Sequence, residues 1–237
     1  MRLRKPWVLT LIIFGAISCC PAAEPGFVSI FDGKTLNGWS SDDMSYWSVE
    51  DGAIAGRGTK DIPYTRWLVW QGGEMGDFEF KLKFRLSGGT KENPANSGIQ
   101  FRCIFNSVGT NGILSARTGY QADIALDPDW MGLLYSASRA VLAERGQKVV
   151  IDKIGGRRSE DIGDPAELYK LVNVNGWNDY HVIAMGNHFQ AVINGHLMSE
   201  VIDGQTAKYC PTGWIGLQIE HGPPMEVHFK DIRLKKY

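Results

Sequence analysis

Four cysteines in 237 residues, two of them adjacent at Cys19 and Cys20, are too few for a disulfide-stapled scaffold or a four-cysteine zinc site in the body of the chain. Basic excess is also missing. Lys and Arg number 25 against 26 Asp and Glu, a formal charge of −1, and no Lys/Arg-rich run offers a footprint for a phosphate backbone. A Gly-Lys-Ser phosphate loop is absent, as are any fixed-period repeat and any Pro/Ser-rich linker beyond residue 23. These gaps speak against nucleic-acid partners, solenoids, propellers and a chain of two linked domains.

What is present begins with residues 1–23. Arg2, Arg4 and Lys5 precede an apolar run from Trp7 to Ile17 and then small residues. This is the layout of a secretory signal, and the run falls short of the roughly 20 residues a membrane span needs. Cleavage after Ala22 or Ala23 would release a soluble periplasmic or extracellular protein. Acylation of Cys19 or Cys20 would instead leave it lipid-anchored. Loss of three cations takes the formal charge from −1 to −4. Cys103 and Cys210 would remain, free to pair in an oxidising compartment or to persist as thiols.

Residues 24–237 read as one all-β domain. In Asp77–Ser87, Phe78, Phe80, Leu82, Phe84 and Leu86 alternate with Glu79, Lys81, Lys83 and Arg85, which predicts a strand with one face in a core and one in water. Shorter alternating runs lie at Gly98–Phe105, Tyr120–Leu126, Asp179–Met185, His188–Ile193, Trp214–Glu220 and Val227–Leu234. Asn194-Gly195 between two such runs is a strong hairpin signal. Asp164-Pro165 is the one helix start. Roughly a dozen strands in a chain of this length give a two-sheet antiparallel β-sandwich or jelly roll. Gly88–Asn96 and Asn106–Thr118 read as loops at one rim.

Alternation also sorts the polar side chains. Ile99, Phe101, Cys103 and Phe105 pack, which leaves Gln100 and Arg102 opposite; Tyr120, Ala122 and Ile124 pack, which leaves Gln121 and Asp123; Leu217 and Ile219 pack, which leaves Gln218 and Glu220. Amides, carboxylates and a guanidinium on three strands suit carbohydrate, whose hydroxyls donate and accept together. Aromatics for stacking on sugar C–H faces are at hand in Trp47, Trp67, Trp70, Trp130, Tyr135 and Trp177. An ordinary solvated sheet face is the plainer alternative. His181, His188, His196 and His228 are scattered singly, and the two carboxylates of Asp127-Pro128-Asp129 are a weak calcium signal, so no metal or other cofactor is expected.

FDGKTLNGW (31–39), WSVEDGAIAG (47–56), GDFEFKLKFRL (76–86), NSGIQFR (96–102), GYQADI (119–124), WNDYHV (177–182), the Asn-Gly at 194–195 and IGLQ (215–218) follow one another in that order. Together they resemble the secreted bacterial DUF1080 family, the 3-keto-disaccharide hydrolase domain, across nearly all of residues 24–237. The resemblance implies a concanavalin A-like fold and cleavage of 3-keto-glycosides. Family members commonly carry Glu at the position of Gln121, Gln at the position of Asp123, and His just after the Leu-Gln pair, where this chain has Glu220 and then His221.

A ketone at carbon 3 of a sugar acidifies the hydrogen at carbon 2. A base can remove that proton, the glycosidic oxygen then leaves, and water adds back. On this resemblance Asp123 is expected as base, Arg102 as stabiliser of the enolate, and Glu220 or His221 as acid. Gln100, Gln121 and Gln218 would hold hydroxyls, with Tyr120 or Tyr135 nearby. A structural Arg102–Asp123 ion pair is the competing assignment for those two residues. A non-catalytic sugar-binding or surface-interaction module is the second functional reading, and a purely structural envelope protein the third.

Overall fold

A computed structural model describes residues 24–108 and 112–237. The expected secretory segment, with Cys19 and Cys20, lies outside the described residues. In chain order the strands are β1 (Val28–Ser29), β2 (Trp39–Ser40), β3 (Trp47–Glu50), β4 (Ala53–Gly58), β5 (Arg66–Trp70), β6 (Phe78–Gly88) and β7 (Asn96–Cys103). They continue with β8 (Phe105–Val108), β9 (Ile113–Ala116), β10 (Tyr120–Ala125), β11 (Leu134–Ser136), β12 (Ala140–Ala143) and β13 (Gln147–Ile151). The last six are β14 (Arg157–Asp161), β15 (Asn178–Met185), β16 (His188–Ile193), β17 (His196–Asp203), β18 (Trp214–Ile219) and β19 (Met225–Lys236). One short helix, α1 (Pro165–Lys170), is capped by Asp164, whose carboxylate accepts from the N–H groups of Ala166 and Glu167.

Two sheets form a sandwich. The ten-stranded sheet runs β14-β13-β17-β16-β15-β6-β19-β4-β3, with β1 added on β19, and the seven-stranded sheet runs β12-β11-β10-β7-β18-β5-β2. All pairs are antiparallel except β13 with β17. β6 alternates as its sequence demands: Phe78, Phe80, Leu82, Phe84 and Leu86 are buried, while Glu79, Lys81 and Lys83 face outward. At about 1.5–3 kcal/mol for each fully buried large side chain, this strand alone contributes on the order of 10 kcal/mol toward holding the sheets together.

The interior contact is aromatic. Phe101 of β7 meets Phe78 of β6 edge-on at 5.9 Å and Phe189 of β16 at 5.6 Å, and Tyr120 of β10 lies 4.2 Å from Phe189. Asn194 and Gly195 take φ of +51° and +81°, the left-handed pair required by the tight β16–β17 turn. Asn106–Thr118 departs from expectation. Rather than a plain loop, it carries the β8–β9 hairpin, a separate two-stranded unit beside the seven-stranded sheet. Among the described residues no helix is long and apolar enough to cross a membrane.

Candidate active site in the groove of the seven-stranded sheet

Tyr120, Ala122 and Ile124 point into the sandwich, so Gln121 and Asp123 of β10 must point out of it. Cross-strand register sets Gln121 beside Gln100 on β7 and Tyr135 on β11, while Gln218 on β18 stands beside Trp67 on β5. These outward side chains floor an open groove of about 1130 Å³. That volume exceeds the roughly 300–1,000 Å³ of ordinary small-ligand pockets. Of the residues expected at a site, Gln100, Gln121, Asp123, Tyr135, Gln218, Glu220 and His221 all line it.

Gly98 is what lets the floor close up. It pairs with Asp123, and a Cβ there would stand 2.1 Å from Gln121 Nε2. With only hydrogen at Gly98, the Gln121 amide lies across β7 and donates to Gln218 Oε1 at 2.6 Å. Gln218 Nε2 donates in turn to Glu220 Oε2 at 2.6 Å. Glu220 Oε1 accepts from the Thr65 hydroxyl at 2.6 Å and from the His221 N–H at 3.0 Å, and it also meets His221 Nδ1. An amide–amide–carboxylate–imidazole chain thus runs from the floor to the rim, where the His221 ring is exposed.

Asp123 stands apart from this chain. It is 3% exposed, and its Oδ2 is buried without a hydrogen-bond partner. Burial first, and then the charge of Glu220, push its carboxyl well above the usual carboxylate range. The shift favours the protonated form, which can donate a hydrogen bond, whereas the expected role of base needs the ionised form. Glu220 and His221 stay together at the rim, where the His221 ring is exposed and its Nδ1 meets Glu220 Oε1.

Two expected residues lie elsewhere. Arg102 is fully buried beneath the sheet, not in the groove. Its backbone takes φ +48°, and the β7–β18 register slips between Trp214 and Gly216. This irregularity breaks the period-two alternation and turns the guanidinium inward. There it donates to Gly76 O (2.8 Å), Gly186 O (2.6 Å), Tyr209 Oη (3.1 Å) and Asp77 Oδ1 (3.0 Å), and it covers the Phe189 ring. It can neither steady an enolate in the groove nor pair with Asp123. Tyr120 packs in the core, where its hydroxyl donates to Asp203 Oδ2 at 2.6 Å, and burial followed by Asp203 raises its pKa.

Of the aromatics expected for stacking, Trp67, Trp130 and Tyr135 line the groove, and Trp130 and Tyr135 are 6.3 Å apart. Trp47 is buried, and Trp177 sits on the other sheet under Lys230 and Arg85. Thr65, Tyr64 and Glu92 also line the groove and were not singled out from sequence, and Asp127, weighed there only as a weak calcium signal, lines it too. Thr65 shares the alternation of Trp67, so the pattern could have found it. Glu92 and Asp127 lie in loops with no periodicity to read. Cys103 and Cys210 are free thiols, and burial pushes that of Cys103 up to about 12.

Glu50, Glu226 and His228 gather on the outer face of the ten-stranded sheet with ligand atoms within 4.8 Å of one another. Arg57 forks onto both carboxylates at 2.8–3.0 Å, and Arg85 Nε donates to His228 Nδ1 at 3.0 Å. Guanidinium groups therefore fill the place a cation would take, and the trio is an ion-pair network.

A β-sandwich whose smaller sheet carries an amide- and carboxyl-floored groove is galectin-like in fold. Solved structures agree on the fold. A protein provisionally classed as a glycosyl hydrolase from Parabacteroides distasonis ATCC 8503 superposes with a TM-score of 0.56 at 20% identity, covering 90% of this chain and 94% of that one. The carbohydrate-binding module CBM66 from Bacillus subtilis gives 0.53 at 15% identity, with 84% and 96% covered. A Bacillus subtilis protein of unknown function with a galectin-like fold gives 0.53 at 11% identity, with 85% and 90% covered. No curated protein matches the chain. The sequence pattern of one family spans residues 26–235, and the chain belongs to it: the 3-keto-alpha-glucoside-1,2-lyase-like domain family. Its chemistry is thus carbohydrate-related.

Proposed function

We propose that this protein cleaves 3-keto-glycosides by elimination, within the groove of the seven-stranded sheet. The observation that carries the reading is the placement of the buried Asp123 carboxyl at the floor of the same groove whose rim holds the Glu220–His221 couple. A carboxyl that burial holds toward its neutral form is suited to donate, and an exposed imidazole oriented by a carboxylate is placed to accept.

In this mechanism the His221 imidazole takes the proton from carbon 2, next to the ketone. The electron pair moves toward the carbonyl and the bond from carbon 1 to the glycosidic oxygen breaks, which leaves a carbon 1–carbon 2 double bond. Water in the open groove protonates the departing oxygen, and addition of water across the double bond gives the 3-keto sugar. No oxidant or reductant is consumed. The developing enolate finds no Lys or Arg among the groove-lining residues, so the neutral Asp123 O–H supplies its hydrogen bond. Gln100, Gln121 and Gln218 hold hydroxyls, and Trp67, Trp130 and Tyr135 offer faces to the sugar rings. Export to the periplasm or beyond, soluble or lipid-anchored, is part of the same proposal and rests on residues 1–23.

One observation favours a second reading. Gln121, at the position where the family commonly has glutamate, spends its amide on Gln218, which suits a sugar-binding module without turnover. The two readings separate when the protein from residue 24 onward is given a 3-keto-α-glucoside and its unoxidised parent. Release of the aglycone from the oxidised compound alone, reduced at least about a hundredfold by His221→Ala, supports the lyase. Saturable binding of both without release supports the module, and equal cleavage of both would mean a conventional glycosidase.

A further inference from the structure

The groove is electrically lopsided. Leu126 N donates to Ala95 O at 3.0 Å and Glu220 N to Asn96 O at 3.2 Å, which draws together the loops where β7 begins and where β10 and β18 finish. Glu92, Asp127 and Glu220 line that end, and Asp123 sits two cross-strand pairs inside it, opposite Gly98. The other end is walled by Ile113–Ala116 of the β8–β9 hairpin and by Ala137, all uncharged. No Lys or Arg is among the lining residues, and neither Glu92 nor Asp127 has a salt-bridge partner among the described residues. Gly109, Thr110 and Asn111, outside the description, carry no charge.

From this we infer that the groove selects its saccharide by charge: it takes neutral and amino sugars and rejects uronic, sulfated and phosphorylated ones, with Glu92 and Asp127 as the specificity-determining carboxylates. The inference rests on the reading of the groove as a saccharide site. Its physical basis is plain. An anionic ligand entering a partly desolvated cleft with carboxylates and no Lys or Arg meets repulsion with nothing to offset it, whereas an ammonium group meets attraction. The unpartnered Asp123 Oδ2 at the floor does not reverse this, because a protonated carboxyl hydrogen-bonds to neutral acceptors as readily as to charged ones.

The test is equilibrium binding, free of turnover, read from the fluorescence of Trp67 and Trp130. Three unoxidised disaccharides are compared: one neutral, one with a uronic acid unit and one with an amino sugar unit. The uronate should bind about tenfold or more weaker than the neutral compound, and the amino sugar at least as well as it, with the gap narrowing at high salt. In the double variant Glu92→Gln, Asp127→Asn the uronate should recover at least half of the logarithmic deficit. The variant's affinity for the neutral compound should change far less than its affinity for the uronate, and an unaltered urea midpoint is the separate check on folding. The amide side chain introduced at Asp127 keeps an oxygen to accept from Asp129 N, as Asp127 Oδ1 does at 2.9 Å. Equal binding of all three, or a uronate deficit untouched by the double variant, would overturn the inference. Binding of none would overturn the saccharide reading beneath it.

Discussion

Replacing Asp123 with asparagine should change how stability depends on pH more than it changes stability itself. The Asp123 carboxyl, buried at 3% exposure with Glu220 nearby, is held well above the usual carboxylate range in the folded protein. In the unfolded chain it titrates near its ordinary value of about 3.9. The folded state therefore keeps a proton that the unfolded state releases. The stability contributed by this group is complete below about pH 3.9 and is lost as pH rises toward the folded-state value. The limit is about 1.36 kcal/mol per pH unit for a single proton. The asparagine side chain would neither hold nor lose that proton. It brings instead an unpartnered amide in a buried place, a constant cost of about 1–3 kcal/mol. Urea denaturation of both proteins at half-unit steps from about pH 4 to 8 gives the difference directly, since the remaining titrating groups are common to the two and largely cancel. The wild-type advantage should shrink with rising pH by about 1 kcal/mol or more per unit over the lower part of that range. A difference that stays level across the range would show that Asp123 ionises normally, and the division of acid and base roles in the groove would fall with it.

Gly98→Ala puts a Cβ 2.1 Å from Gln121 Nε2 and 2.9 Å from its Cδ, so the Gln121–Gln218 bond must break. A loss of about 1–3 kcal/mol in chemical denaturation, with several-fold weaker sugar binding, is expected; unchanged binding would detach this amide chain from ligand recognition. Arg102→Met leaves Gly76 O without its donor and Gly186 O with only the Tyr209 hydroxyl, and it should cost roughly 3 kcal/mol of stability. The folded fraction of that variant should bind saccharide with unaltered affinity, whereas a specific loss of affinity or turnover would return Arg102 to the site.

Strand-level structure was legible where one face is apolar and the other polar without interruption. β6 shows this most clearly, and β10 shows why it matters: its unbroken alternation placed Gln121 and Asp123 in the groove correctly. The same rule misplaced Arg102, because a left-handed residue and a register slip are invisible to period-two counting. The β8–β9 hairpin was missed because Asn106–Thr118 has weak alternation and two glycines. The upward shift of the Asp123 carboxyl was beyond reach too. It arises from burial and from Glu220, which is distant in sequence and enters only when β18 packs beside β7. Glu92 and Asp127 sit on loops whose path is set by backbone bonds to Asn93, Ala95 and neighbouring turns rather than by any pattern of side chains.

Whether carbon 2 loses its hydrogen is the question on which the account turns. Incubating the protein with a 3-keto-α-glucoside in heavy water and examining the released sugar by NMR answers it. Deuterium at carbon 2 of the product, acquired faster than in the absence of protein and abolished by His221→Ala, is the predicted result. Release of a sugar that still carries protium at carbon 2 would mean direct hydrolysis and contradict the mechanism.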